Sequence, residues 1–556
     1  MRQTPDRKRL ALLILVTGLG VCLLALALAY LSAACSTCGP LLQFGPVSFS
    51  GWLSFLTVLL LCAAILYAGW ASIQASERTA LARANQSRLP GWLAGLLVGA
   101  ALLRLVMGIV WYLALPQYGH GTAQEQGGYV MADAYKRDQY AQKIGGSDKP
   151  LWQAYRSSRA VDAYGGHLLI SASIYRYLTD DQAGSLVMVV VSAAFSALAV
   201  LFTWAFARRS WDDGVARLAA WGMALYPEVV LLGSSQMREA FLIPAIAASF
   251  YGLARLRRSR AWIGLAWLLG GVLLTLLISP PITVVLVLAL GLAALAIRDD
   301  LINRHVNVPR LAWLALALAA ILALLGGYLA LRQFAPVEVS NPVDVFSYWL
   351  RKAVDLQAYF SKGASGWLQK IFRNTPEWTH LPVLTFYGIL RPFLPAALVV
   401  PSQAPIWTWI TLWRAAGWTI LLGLLAYATL HAWLKKGTDN FSRILTIIIW
   451  LVMIIASLRG GGDQDDNPRY RAIFASLQIS LAAWGWMEQK RSSDPLFRRA
   501  LVTVIFIMAF SLLWYLRRLY YIPWAEADPF RVIGFGLACG VLYSLWDWAR
   551  LRRKQR

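Results

Sequence analysis

Residues 119–181 read GHGTAQEQGGYVMADAYKRDQYAQKIGGSDKPLWQAYRSSRAVDAYGGHLLISASIYRYLTDD, a long polar insert between two apolar runs. Connections longer than about 12–15 residues are uncommon in compact proteins, and they are usually functional or disordered. The Tyr and Trp residues of the insert, and short apolar runs such as HLLISASIY, argue against disorder. We therefore predict that the insert folds into a structured site.

The chain around the insert is too apolar for a soluble protein of its size. Of its 556 residues, 58% are hydrophobic and 14% are charged, and the mean hydropathy is +0.53. The formal net charge is +24, but Lys and Arg cluster in the short segments between apolar runs, as the positive-inside rule requires. The charge therefore indicates membrane topology and contact with anionic membrane lipids, and we expect no nucleic-acid partner.

The apolar runs predict an all-α polytopic membrane protein in the plasma membrane. Runs of about 17–25 apolar residues are long enough to cross a bilayer as helices. About fourteen spans are predicted, at about 10–34, 52–73, 90–116, 184–206, 214–233, 237–254, 262–279, 282–297, 311–331, 408–433, 442–458, 470–487, 498–516 and 531–548. This topology places both termini on the cytoplasmic side and the insert on the extracytoplasmic side.

A second long outer segment, about 332–406, contains the apolar stretch 383–400. Treating that stretch as a crossing would move Lys435 and Lys436 to the outside and invert every later loop. Pro392 and Pro395 also disfavour a straight helix. We therefore interpret 383–400 as a re-entrant or interfacial element.

The outer segments contain two carboxylates, Asp133 and Asp138, within ADAYKRDQYA. Five residues apart, they lie on different faces of a helix and are not a simple paired-carboxylate site. One could act as a base or bind a metal while the other is structural, and each could equally be a solvated loop carboxylate.

A second group of polar residues surrounds the Gly165–Gly166 turn in VDAYGGHLL. Asp162, Tyr164 and His167 lie there, and His167 fits either a packing role or a substrate contact. The YPEVVLLGSSQMRE hairpin places Glu228, Arg238 and Glu239 at or just beneath the outer surface.

Three further arginines lie on the predicted outer side, namely Arg391 in LRPF and Arg469 and Arg471 in DNPRYR. Arginine suits bidentate recognition of a phosphate, and ordinary headgroup anchoring is the alternative. The run Asp463–Asp466 could bind a divalent cation or form a flexible acidic loop. The sequence contains no Walker loop, dinucleotide-binding glycine pattern, HExxH or GxSxG nucleophile elbow.

Four motifs resemble the GT-C fold integral-membrane glycosyltransferases, which use polyprenyl-phosphate-linked sugars and are related to the dolichyl-phosphate-mannose protein mannosyltransferases. They are MADAYKRDQYA after LLRLVMGIVWYLALP, AYGGHLLISASIYRYL, YPEVVLLGSSQMREAFLI and DNPRYRAIFASLQISL. The resemblance divides the chain into two accessory N-terminal helices (1–89), a GT-C-like core with outer loops 117–183 and 332–406 (90–487), and C-terminal helices with a basic tail (488–556). The Asp-x4-Asp spacing departs from the tighter acidic pair of the family, which leaves the catalytic carboxylate open.

The resemblance implies inverting transfer of a hexose or pentose from a lipid-linked donor to a glycan, lipid or protein acceptor. Asp133, with Asp138 as the alternative, would be the general base. Arg238, Arg391, Arg469 and Arg471 would hold the donor phosphate. The implied substrate pocket comprises Tyr135, Asp162, Tyr164, His167, Glu228 and Glu239.

No metal ligand is assigned and no cofactor is certain. The resemblance leaves a divalent cation possible, because family members that use diphosphate donors often need one. Two other classes of protein remain open on sequence grounds. A lipid flippase or transporter predicts charges at mid-depth and broken helices, for which Arg104 and the ISPPI segment are the candidates. A non-catalytic scaffold would have no need of long structured outer loops.

Overall fold

A computed structural model shows a helical protein throughout the residues that it describes. Those residues are 7–33, 47–83, 87–156, 164–179, 184–256, 261–303, 310–333, 335–339, 341–345, 347–349, 351–352, 369, 372–400, 402–460, 467–523, 526 and 528–555.

The helices lie before, within and after the second outer segment. Before the second outer segment they are α1 (Arg7–Ser32), α2 (Phe49–Arg83), α3 (Gly91–Tyr118), α4 (Ala123–Gln126), α5 (Ala132–Gly145), a 3-10 turn (Leu151–Arg156), α6 (Gly166–Leu178), α7 (Leu186–Ser210), α8 (Asp213–Leu225), α9 (Pro227–Gly233), α10 (Glu239–Leu256), α11 (Ala261–Ile278), α12 (Pro280–Asn303) and α13 (Arg310–Gln333). Within that segment they are α14 (Glu377–Leu390) and α15 (Leu394–Val399). After these they are α16 (Pro405–Leu434), α17 (Asn440–Gly460), α18 (Asn467–Ala472), α19 (Ala475–Ser492), α20 (Pro495–Tyr520) and α21 (Pro529–Gln555).

The prediction of an all-helical integral membrane protein is confirmed for the described residues. Ten helices there are long and apolar enough to cross a membrane, namely α1, α2, α3, α7, α10, α12, α16, α17, α20 and α21. The helix pair α8 and α9, bent by 54°, would make an eleventh span if the two act as one. The other predicted spans coincide with α11, α13 and α19, so the number fourteen stays a prediction.

The stretch 383–400 forms two short helices, α14 and α15, separated at residues 391–393. Neither is among the candidate spans within the described part of the chain. Pro392 interrupts the helix, because proline has no N–H to donate and its ring clashes with the preceding turn. This arrangement agrees with a re-entrant or interfacial element.

The chain divides into two compact units. Unit 1 is Met1–Leu201, Val230–Phe241 and Leu277–Ser279, and unit 2 is Phe202–Val229, Leu242–Leu276 and Pro280–Arg556. This partition differs from the three functional segments 1–89, 90–487 and 488–556, which stay a prediction. The polar insert lies wholly in unit 1.

Within unit 1, α3 leads from the membrane into the insert and carries Arg104. That side chain is fully buried. Its Nε donates to Ser196 Oγ at 3.0 Å and its Nη1 to the carbonyl of Ala100 at 2.9 Å. These bonds offset the cost of placing a charge inside a span, and the bond to Ser196 joins α3 to α7.

Candidate active site

Helix α5 carries the acidic motif of the insert. Asp133 lies in its first turn, where a carboxylate is favoured by the partial positive charge of the helix N-terminus. Arg137 follows one turn later, and its Nη2 lies 3.3 Å from Asp133 Oδ2. The Asp133 side chain is 44% exposed whereas that of Arg137 is 6% exposed. Asp133 is therefore open to a substrate and is oriented by a buried cation.

Asp138 lies on another face of the same helix and is buried. Its Oδ2 accepts from Tyr129 OH at 2.6 Å and from Gln142 Nε2 at 3.1 Å. Its Oδ1 accepts from Tyr175 OH at 2.8 Å. These four residues, which we call the Asp138 network, join α5 to α6 and to the segment preceding α5. A carboxylate enclosed in this way has no route to an acceptor hydroxyl.

Burial raises the pKa of the Asp138 carboxyl to about 6, and the hydrogen bonds from Tyr129, Tyr175 and Gln142 act in the opposite direction. Burial, followed by the charge of Asp138, raises the pKa of both tyrosines well above its ordinary value. Both phenols therefore stay protonated and act as donors. At neutral pH the network holds one ionised carboxylate among neutral donors.

The C-terminal end of α5 is held by Arg176 of α6. Arg176 Nη2 donates to the carbonyls of Ile144, Ser147 and Lys149 at 2.6, 2.5 and 2.7 Å. Its Nε donates to the carbonyl of Gly145 at 3.2 Å. A guanidinium at this position satisfies carbonyls that the helix leaves open and complements the negative end of the helix dipole.

Helix α6 begins at the two glycines noted in the sequence. Gly165 has φ +73°, a conformation that favours glycine. A Cβ on Gly166 would overlap with the carbonyl oxygen of Leu277. Only glycine allows the helix to start this close to the Leu277 backbone. The next residue, His167, is thereby buried, at 2% exposure.

The Arg238–Glu239 turn belongs to the same unit. Arg238 Nε lies 3.5 Å from Glu239 Oε1, and the Glu239 side chain is fully buried. The Arg238 guanidinium carbon lies 5.9 Å from the centre of the Tyr164 ring. Arg137 reaches the same turn, because its Nη1 lies 3.9 Å from the sulfur of Met237.

The structure therefore gathers most of the predicted site within unit 1. Tyr135 packs edge-on against Tyr129, with ring centres 5.3 Å apart. Asp162 lies outside the described residues. The members that unit 1 brings together in the described part of the chain are Asp133, Tyr135, Asp138, Tyr164, His167, Arg238 and Glu239.

Four predicted site residues belong to unit 2. Glu228 is buried and accepts two bonds from Arg414, at 2.8 and 3.0 Å. Arg469 donates to Tyr470 OH at 2.9 Å. The Arg391 guanidinium carbon lies 5.8 Å from the Tyr387 ring.

Arg471, the fourth, is almost completely enclosed, at 2% exposure. Its Nη1 lies 3.3 and 3.2 Å from the carbonyl oxygens of Gly388 and Ile389. Its guanidinium carbon lies 3.5 Å from the centre of the Trp418 ring. These contacts give Arg471 a clear structural role in joining α18 to the end of α14.

Four residues of the site were missed in the sequence: Arg137, Tyr129, Gln142 and Tyr175. Arg137 carries one available signal, because an Arg four residues after an Asp on a helix forms an ion pair. The tyrosine pair carries none, since Tyr129 and Tyr175 lie far apart along the sequence.

The described residues contain no cluster of three or more His, Cys, Asp or Glu side chains that could hold a metal ion. The acidic run Asp463–Asp466 lies outside the described residues.

Comparisons with known proteins gave structural neighbours only. No family model matches the sequence, and no curated protein matches it. Among solved structures, the archaeal oligosaccharyltransferase AglB from Archaeoglobus fulgidus, in complex with an inhibitory peptide and a dolichol-phosphate, is similar at 15% identity and a TM-score of 0.38, over 81% of this chain and 56% of that one. Its apo form gives the same values.

A third structure of that oligosaccharyltransferase, tethered to an acceptor peptide containing the NVT sequon, is similar at 14% identity and a TM-score of 0.37. It covers 81% of this chain and 55% of that one. The present chain therefore spans little more than half the length of these neighbours.

Proposed function

We propose that the chain is a membrane glycosyltransferase that moves a sugar from a polyprenyl-phosphate-linked donor to a glycan, lipid or protein acceptor on the extracytoplasmic face, with inversion. The proposal takes its reaction class from the sequence motifs. The observation that carries it is the state of Asp133. This carboxylate is half-exposed and is oriented by Arg137 at the start of a helix that the Asp138 network and Arg176 hold in place.

In the proposed reaction Asp133 accepts the proton of the acceptor hydroxyl. The acceptor oxygen forms a bond to the anomeric carbon from the face opposite the phosphate. The bond between that carbon and the phosphate oxygen breaks, and its electron pair leaves with the polyprenyl phosphate. The proton ends on Asp133 and one new negative charge on the phosphate, so the charges balance.

The new charge requires a cation near the leaving group, since electrostatic stabilisation of developing charge usually contributes most to the rate of such reactions. Arg238 is our candidate within unit 1, and Tyr135 and Tyr164 are candidates for sugar contacts. Arg391, Arg469 and Arg471 stay in the proposal as further phosphate contacts on the sequence resemblance alone. The enclosure of Arg471 against Trp418 argues for a structural role in its case.

The rival function is a lipid flippase or transporter. Its strongest sequence support was Arg104 within a span, because an intramembrane charge is a functional candidate by default. The bonds of Arg104 to Ser196 and to the Ala100 carbonyl explain this charge structurally. The bent pair α8 and α9 is the feature that still fits a transporter.

The test is transfer by the purified full chain in liposomes. Radiolabelled polyprenyl-phosphate hexoses or pentoses are incubated with a membrane extract, and label in new products is counted. We expect transfer in wild type and a loss of at least about 100-fold in Asp133→Asn, the lower end of what a general base contributes. Asp148→Asn, which changes an exposed carboxylate of the same insert, is the control and should transfer normally.

Two outcomes would count against the proposal. Wild-type transfer by Asp133→Asn would remove Asp133 as the base. Labelled lipid crossing the bilayer without any transfer, from any donor, would replace the transferase by the flippase.

A further inference from the structure

Helices α20 and α21 form a closely packed antiparallel pair. A Cβ on Gly536 would meet the Cα of Ile507 at 2.8 Å, so the two backbones approach closely there, as small residues allow between membrane helices. Further along α21, the fully buried carboxylate of Asp547 accepts hydrogen bonds from Arg498 and Arg499 of α20, the latter at 2.9 Å. These contacts fix the end of α21 against the start of α20.

Two arginine–tryptophan pairs lie beside Asp547. The guanidinium carbon of Arg552 lies 3.8 Å from the centre of the Trp548 ring, and that of Arg550 lies 5.4 Å from the centre of the Trp546 ring. Residues 546 and 548 are about 200° apart around a helix, so one pair lies on each side of Asp547. Both indoles are exposed, Trp546 at 55% and Trp548 at 46%. Since Asp547 faces α20, the two pairs flank the contact between the helices.

This end of the helix pair carries an excess of positive charge. Its members, which we call the Arg–Trp cluster, are Arg498, Arg499, Trp546, Trp548, Arg550, Arg552 and Arg553. Asp547 opposes the five arginines, whereas Asp494, one turn before Arg498, lies 3.1 Å from His431 Nδ1 and so faces α16. Arg550, Arg552 and Arg553 are exposed and form no ion pair within the part of the chain that the structure describes. The cluster therefore attracts an anion.

The residues just before the cluster are apolar and exposed. Leu542 and Leu545 are 66% and 57% exposed, and they belong to a candidate membrane span that ends at Arg553. Acyl chains would cover them, which puts the cluster at the level of the phospholipid headgroups. The predicted topology assigns this end to the cytoplasmic leaflet, whose surface carries anionic lipids. An anionic phospholipid thus complements both the charge and the apolar surface, whereas a free phosphate ion complements the charge alone.

Stacking on an indole leaves the donors of a guanidinium group available. The contact with the ring uses the face of the planar group, whereas the N–H donors lie in its plane and match two oxygens of one phosphate. Trp548 therefore restricts Arg552 without consuming its donors. A side chain that is already restricted loses less conformational entropy when a ligand binds.

We propose that the Arg–Trp cluster binds two anionic phospholipids of the surrounding leaflet, one at Arg552 with Trp548 and one at Arg550 with Trp546. Net charge alone gives a diffuse attraction along every basic loop, whereas this geometry gives defined sites at one helix pair. Arg498 and Arg499 hold Asp547 and fix the two helices. The sites are independent of Asp133 and of sugar transfer.

The test is lipid binding by the purified full chain in detergent micelles. Phosphatidylglycerol is titrated, and native mass spectrometry counts the bound lipids and gives the Kd of the first two. In the double variant Arg550→Gln with Arg552→Gln, both Kd values should rise at least about tenfold, because each cation near the headgroups contributes to the attraction. The double variant Arg550→Lys with Arg552→Lys keeps the charge but loses the planar fork, and its Kd values should rise about threefold.

Lys435→Gln with Lys436→Gln is the matched control. It removes the same charge from two exposed positions on the same predicted side of the membrane, and its Kd values should stay within about twofold of wild type. The melting temperature without added lipid should be the same in all variants, because the substituted residues are exposed and do not contact Asp547.

Five results would overturn the inference. Unchanged Kd values in the Arg550→Gln and Arg552→Gln double variant would remove the sites, and equal weakening in the lysine control would reduce them to net charge. Equal affinity for phosphatidylcholine, which has a phosphate but no net charge, would remove the selectivity for anionic lipids. Displacement of the lipid by millimolar inorganic phosphate would make the ligand a free ion. Binding of a polyglutamate peptide through these arginines, with no binding of phosphatidylglycerol, would replace the lipid by an acidic protein partner.

Discussion

Asp133 and Asp138 lie on one helix in opposite surroundings. Asp133 is half-exposed beside a single cation, whereas Asp138 is buried and accepts from three donors. A base must reach the hydroxyl that it deprotonates, so accessibility assigns the chemistry to Asp133. The high pKa of the Asp138 carboxyl reflects its burial and is no evidence of catalysis.

The Asp138 carboxyl gives a pH-dependent prediction. Its pKa rises from 3.8 to about 6 on burial, so between these values the folded protein binds more protons than the unfolded chain. The contribution of this group to stability is therefore largest below pH 4, falls as the pH rises and levels off above about pH 6. We expect the melting temperature of wild type, minus that of Asp138→Asn, to fall between pH 4 and 6 and to be constant from pH 7 to 8.

The pKa of His167 is lowered by burial, so this residue changes the stability with pH in the direction opposite to Asp138. Taking the difference between wild type and Asp138→Asn cancels the His167 contribution. That histidine makes the folded state less stable as the pH falls below about 6.5 in both proteins. A difference that did not change between pH 4 and 6 would contradict the buried state of Asp138.

At this scale the sequence predicted residue types better than residue roles. Asp133, Asp138, His167 and Arg238 were all recognised, because charged residues in a long insert are conspicuous. Their roles depend on burial and on partners distant in sequence, such as Met237 for Arg137. The helical periodicity shows that Asp133 and Asp138 point in different directions. It does not show which of the two side chains is buried against the rest of the protein.

The pairing of α5 with α6 gives a prediction for Arg176. Arg176→Gln removes a charged donor from the carbonyls of residues 144, 145, 147 and 149. A hydrogen bond to a charged group contributes up to about 1.5–3 kcal/mol. Because the loss of these bonds would let the 146–150 segment open more often, we expect proteinase K to cleave it faster. Arg156→Gln, which removes a contact with the Trp152 ring, is the matched control. Equal cleavage of the two variants would mean that Arg176 does not hold this turn.

The start of α6 gives a second prediction at this scale. In Gly166→Ala the added methyl would meet the Leu277 carbonyl, so α6 must move, at a cost of about 1–3 kcal/mol. We therefore expect a lower melting temperature. Gly99→Ala is the control, because an added Cβ there meets nothing within 4 Å. An unchanged melting temperature in Gly166→Ala would show that the two backbones are not in close contact.

Elements were more predictable than residues. Twelve of the fourteen predicted spans each coincide with one helix, because long apolar runs have few alternatives in a membrane. The other two, 214–233 and 470–487, each contain a break between two helices. The break at Pro392 was also predictable, since proline cannot continue a helix without loss. The small helix α4 and the 3-10 turn at Leu151–Arg156 carry no such periodic signal and were not predicted.

At the scale of the whole molecule, the predicted topology can be tested directly. The positive-inside rule places the insert outside and the α16–α17 loop inside. In a background without native cysteines, we expect a membrane-impermeant maleimide to label Asp148→Cys in intact cells and Lys436→Cys only after lysis. Both positions are exposed. Labelling of both positions in intact cells would mean that 383–400 crosses the membrane. Labelling of Lys436→Cys together with protection of Asp148→Cys would invert the whole topology and place Asp133 on the cytoplasmic side.

The Asp138 network also constrains how this sequence can evolve. Replacing Asp138 alone by an apolar residue would remove the carboxylate that accepts from the buried hydroxyls of Tyr129 and Tyr175, and a buried hydroxyl left without a partner costs about 1–3 kcal/mol. Replacing one tyrosine alone would leave the carboxylate with one donor fewer. Exchange of the whole set for well-packed apolar residues can be nearly neutral. In related proteins, residues 129, 138, 142 and 175 should therefore be kept or replaced as a set. Their joint conservation or joint replacement could identify distant relatives even where the rest of the sequence can no longer be aligned.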